Sequence, residues 1–116
     1  MPAPDTSQYT FLPGLVEAIE IPPDGTLSRT VYADASIKVV LFGFDAGQEL
    51  SEHTAARPAL LQIVRGEARL TLGTDARDVH PGCWVHMPAS LPHSVLALTP
   101  LVMLLTLLPA DAEASP

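Results

Sequence analysis

The chain has 116 residues and a net charge of −7, from 13 acidic against 6 basic side chains. This length is that of one domain, and without a Lys/Arg cluster an acidic chain is excluded as a partner for nucleic-acid phosphates or an anionic membrane surface. Hydrophobic residues make up 47% and aromatics 5%, so the core is aliphatic, and the acidity serves solubility.

In chain order, the predicted layout is an N-terminal arm (1–8), one folded domain (9–109) and a C-terminal tail (110–116), with no internal repeat or linker. The segment from Met1 to Tyr9 has neither a basic region nor an apolar stretch, so it does not read as a secretory signal. Leu15 to Ile21 is a short β-type run stopped by Pro22-Pro23-Asp24-Gly25, a strong turn signal; Leu12 to Glu20 is the one stretch that could also be a short helix. Ser28 to Tyr32 and Ile37 to Phe44 are β-type runs. Leu60 to Val64 stops at Arg65-Gly66-Glu67, and Ala68 to Leu72 alternates, with Ala68, Leu70 and Leu72 on one face. Cys83 to Met87, Ser94 to Leu98 and Leu101 to Leu108 complete the set. The last run has eight residues between Pro100 and Pro109, far short of the ~20 that a spanning helix needs. Short strands at this spacing predict an all-β sandwich or closed barrel. Cys83 is the only cysteine, so no intrachain disulfide forms, and the cytoplasm is the default location.

Two glycine-anchored blocks carry the remaining information. The first places Gly47, His53, Ala55, Ala59 and Gly66 in order; the second places Gly82, Pro88, Ser90, His93 and Ala97. These spacings resemble the two motifs of the cupin superfamily, whose template has histidine at 55, glutamate at 59, glycine at 90 and asparagine at 97. Six of the ten template positions keep their residue. The chain thus resembles a small single-domain cupin of the conserved-barrel type with a degenerate first motif. The resemblance implies a double-stranded β-helix, or jelly-roll barrel. It also implies a homodimer.

In metal-binding cupins, two histidines and a glutamate from the first motif and a histidine from the second hold one divalent ion. Side chains at i, i+2 and i+6 of a strand share a face, so such residues converge inside the barrel. Here His53 and His93 remain as candidate metal ligands, with Ala55 and Ala59 in the other two places. Two imidazoles alone are a poor site, since three or four protein ligands are usual. Gln62 and His86 are the candidate additions. Alternation from Ala59 turns Gln62 away from the pocket, unless a bulge near Arg57-Pro58 reverses the parity. His86 shares a face with Trp84, and which face looks inward stays open. His80 precedes Pro81-Gly82 and belongs to an exposed turn. Arg57 is the one cation near the expected pocket rim and could hold a carboxylate, although a surface position is expected. Cys83 reads as an inert thiol, and Trp84 and Met87 as core.

Two functions follow. The first is a small-molecule-binding cupin whose pocket is lined by Leu61, Ile63, Leu70, Val85 and Met87, with or without a weakly held Zn, Fe, Mn or Ni on His53 and His93. The second is a metal-dependent enzyme of dioxygenase, isomerase or lyase type, completed by an unconventional third ligand.

Overall fold

The computed structural model describes residues 8–110; but for Gln8 and Ala110, the expected arm and tail lie outside them. Nine strands form two antiparallel sheets: β1 (Thr26–Ala33), β2 (Lys38–Phe44), β3 (Glu49–His53), β4 (Ala59–Arg65), β5 (Ala68–Leu72), β6 (Asp75–Val79), β7 (Trp84–Met87), β8 (His93–Ala97) and β9 (Leu101–Leu107). The five-stranded sheet runs β1-β2-β9-β4-β7 and the four-stranded sheet β3-β8-β5-β6. This is the expected all-β double-stranded β-helix. Among the described residues no helix is long and apolar enough to cross a membrane.

The core lies between the sheets and follows from strand alternation. Phe44, Leu61, Ile63, Leu70, Val95, Leu101 and Met103 point inward and are buried, while their chain neighbours face out. The expected alternation of Ala68, Leu70 and Leu72 is met, with Ala68 and Leu70 fully buried. Register arranges these side chains in rungs. On one sheet Leu105, Leu61 and Val85 are cross-strand neighbours, as are Leu107, Ala59 and Met87 one rung further out. On the other, Leu50, Val95 and Leu70 form the inner rung and His53, His93 and Leu72 the outer.

Three segments depart from the sequence reading. Leu15 to Ile21 is neither strand nor helix but a series of turns. It folds over the outer face of the five-stranded sheet, where Ile19, Leu41 and Val102 form a second, smaller cluster. Gly43 admits that approach, because a Cβ there would lie 3.1 Å from Glu20 O and 3.3 Å from Ile21 Cγ1. The run was apolar to cover a sheet, not to join one. Conversely, β3 and β6 are strands that their polar sequences, ELSEH and DARDV, do not announce. Both lie at edges of the four-stranded sheet, where side chains need not be apolar to pair. Of the turn glycines, Gly66 is irreplaceable: its φ is +86° and an added Cβ would collide with the Pro100 carbonyl.

Candidate functional site

The outer rung is where packing stops. His53 and His93 are direct partners across β3 and β8, with ring centroids 4.1 Å apart and planes tilted by 60°. A register irregularity between Leu50 and His53 brings His53 opposite its partner. His93 is buried, with 7% exposure, the only polar side chain so enclosed among the described residues; His53 is exposed. The two rings are held alike. His53 Nδ1 lies 2.9 Å from Ser51 O, and His93 Nδ1 lies 2.9 Å from Leu91 O. A carbonyl oxygen can only accept, so each Nδ1 donates, and in a neutral ring that assigns the lone pair to Nε2.

Both rings border a cavity of about 40 Å³. Ala55 and Ala59 leave it open, Met87, Leu91, Leu105 and Leu107 supply apolar wall, and Arg57 is the one charged lining residue. Two backbone hydrogen bonds fix the segment between the alanines: Ser90 N donates to Ala55 O at 2.7 Å and Leu108 N to Pro58 O at 2.8 Å. Ser90 makes its bond with φ of 70°, a left-handed conformation that explains the template's glycine at this position. Arg57 is half-buried in the wall, not on the surface as expected. Its Nε donates to Leu108 O at 2.7 Å, and its Nη2 to Ser36 O at 2.8 Å and Leu107 O at 3.4 Å. Among the described residues Nη1 has no partner, and Arg57 joins neither ion pair.

The other candidate ligands do not meet this pair. Gln62 is exposed between buried Leu61 and Ile63, opposite Trp84. No bulge at Arg57-Pro58 reverses the parity; the irregularity in β4 falls between Ile63 and Arg65. His86 is exposed opposite Leu60, beside Trp84 on the outer face, because Met87 takes the inward position. Trp84 is 58% exposed, which corrects its assignment to the core. His80 sits in the exposed turn, with Nδ1 3.1 Å from Pro81 O. Cys83 is a free, half-buried thiol against the core. Of the expected lining residues only Met87 borders the cavity; Leu61 and Val85 form the rung beneath it, and Ile63 and Leu70 lie in the core. Leu105, Leu107 and Leu91 were missed, and strand register alone could have found the first two.

Fitness for a divalent metal follows from the donor set. Among the described residues no three His, Cys, Asp or Glu side chains are grouped to hold one. The pocket offers two imidazoles, no carboxylate, and a guanidinium in its wall that repels a cation. These residues do not fit a resident Zn, Fe, Mn or Ni, which takes three or four protein ligands.

No family model and no curated protein matches the sequence. Solved structures do. A conserved protein of unknown function from Streptococcus pyogenes is 28% identical, with a TM-score of 0.78 over 88% of this chain and 90% of its own. A cupin superfamily protein from Desulfitobacterium hafniense is 27% identical, with a TM-score of 0.78 over 88% and 93%. An RmlC-like cupin from Desulfovibrio desulfuricans is also 27% identical, with a TM-score of 0.78 over 87% and 98%. With the barrel, both motif spacings and these likenesses together, the chain belongs to the cupin superfamily.

Proposed function

We propose that the protein binds a small molecule at the His53–His93 end of the barrel, without a resident metal. The observation that carries this reading is the pair of oriented imidazoles beside a cavity that alanines leave open. Orienting a ring through Nδ1 costs conformational freedom, and what it secures is a directed Nε2 acceptor. At about 40 Å³ the cavity has room for water but is far below the ~300–1,000 Å³ of sites that engulf a drug-sized ligand. A ligand therefore inserts a few atoms and rests the remainder on the mouth at exposed His53. The test is imidazole NMR during addition of fragment-sized acids, alcohols and amines. At least one class should move the His53 and His93 resonances while His80 and His86 stay still. If no class moves them selectively, the reading fails.

We also infer that the binding unit is a homodimer, with the cytoplasm as its compartment. Leu60, Gln62, Trp84 and His86 adjoin one another on the outer face of the five-stranded sheet, and that patch carries no formal charge with its histidine neutral. The outer side of the other sheet bears Arg69 and Asp78 in an exposed ion pair. The same chain extends Tyr9 and Phe11, 81% and 74% exposed, beside a groove of about 520 Å³ bordered by Tyr32 and Val39. Protruding aromatics and an open groove on one molecule suit a self-complementary two-fold contact. Sedimentation should give a dimer for the parent and a monomer for Trp84→Glu. A monomeric parent at tens of micromolar contradicts this.

A further inference from the structure

We propose that the ligand class is a small hydroxycarboxylate, with Arg57 supplying the positive charge that the absent metal ligands forgo. The proposal rests on the pocket-binding reading above and deepens it. Three polar groups border the cavity, and their chemistry is unequal. With Nδ1 of both His53 and His93 donating to backbone carbonyls, the neutral rings offer Nε2 as an acceptor. They therefore call for a donor on the ligand, such as a hydroxyl. Arg57 presents donors only and a fixed charge. Its Nε and Nη2 are spent on the carbonyls of Leu108, Ser36 and Leu107. These bonds hold the guanidinium in the wall and, among the described residues, leave Nη1 without a partner.

A bare carboxylate satisfies Arg57 but turns its lone pairs toward two imidazole lone pairs. A simple alcohol satisfies an imidazole and leaves the guanidinium unpaired. A molecule with a hydroxyl next to a carboxylate satisfies both. A divalent cation meets neither need: it gains two neutral ligands and faces the guanidinium. The apolar wall and the small cavity limit the buried part of the ligand to a few heavy atoms, so the smallest members of the class are the natural probes.

The experiment compares glycolate, acetate and ethylene glycol by imidazole NMR titration at constant ionic strength, with zinc as a fourth titrant. Glycolate should bind about three- to tenfold more tightly than acetate, the worth of one net hydrogen bond. It should exceed ethylene glycol by about tenfold or more, since the latter lacks the charge-assisted contact. Arg57→Gln should bring glycolate down to the level of ethylene glycol. Arg57 also ties three backbone carbonyls, so the variant risks misfolding, and His53→Ala at the exposed rim serves as the second variant. It should bring glycolate down toward acetate. Equal affinity for glycolate and acetate overturns the proposal, as does zinc binding tighter than either. Selective His53 and His93 shifts from amines alone would overturn this ligand class and leave the pocket reading intact; no shift from any compound overturns both.

Discussion

Two neighbouring rungs of the same barrel behave differently. In the inner rung Leu50, Val95 and Leu70 face Leu105, Leu61 and Val85, and the space between the sheets is filled. One step outward His53, His93 and Leu72 face Leu107, Ala59 and Met87, and a cavity remains. The strands are the same and the backbone is continuous, so side-chain choice makes the site. Replacing a leucine-sized residue by Ala59 opens the space, and two imidazoles with one guanidinium give it chemistry.

The largest effect should come from making the inner rung resemble the outer. Leu61→Ala, at a position 1% exposed, should destabilise the fold by about 2–5 kcal/mol in denaturant titration, through lost transfer energy plus a new cavity. A loss below ~1 kcal/mol would mean that the two rungs are equally loose. The reverse change, Ala59→Val, should keep stability within about 1 kcal/mol because the added methyls enter existing space. It should also abolish fragment shifts at His53 and His93. A larger loss of stability would show that the cavity is already effectively full.

Ser90 tests the rim. The left-handed conformation costs a non-glycine residue about 1–2 kcal/mol, and glycine gives back roughly 0.4–1 kcal/mol through the unfolded chain. Ser90→Gly should therefore stabilise by up to about 1.6 kcal/mol, read as a raised Tm. A lowered Tm would mean that the serine side chain contributes something unseen here.

The smallest effect is expected far from both rungs. The hydrogen bonds from Asp24 N–H and then Ala46 N–H hold the Asp45 carboxyl below its ordinary value of 3.8. Asp34 is lowered by the Tyr32 hydroxyl and then by the Ile37 and Ser36 N–H groups. For a lowered carboxyl the unfolded chain binds the proton first. Its stabilisation is thus complete above the ordinary value and lost as pH falls through the depressed one. Stability should decline below about pH 4, and Asp45→Asn should flatten part of that decline. An acid profile unchanged in this variant would remove Asp45 from the account.

How much was legible depended on whether a residue's role is local. β5 and β9 announce themselves by alternation and by an apolar run between prolines. β6 does not, because DARDV lies at a sheet edge and needs only its backbone to pair. Leu15 to Ile21 misled for the opposite reason: an apolar run states that it is covered, not what covers it. His53 and His93 were legible from motif spacing, and their shared orientation was not, since it rests on the Ser51 and Leu91 carbonyls. The outward turn of Gln62 followed from parity once no bulge intervened. Arg57 was the hardest residue to read. Its place depends on carbonyls about fifty positions away at the end of β9, a contact that only the closed barrel creates.

The central claim is that this pocket keeps two histidines without keeping a metal. Its most direct test is elemental analysis of protein purified without an affinity tag and then incubated in turn with Zn, Fe, Mn and Ni. The parent should hold each metal well below stoichiometry, whereas Ala55→His combined with Ala59→Glu should hold one stoichiometrically. Stoichiometric metal on the parent, lost in His53→Ala or His93→Ala, would contradict the account.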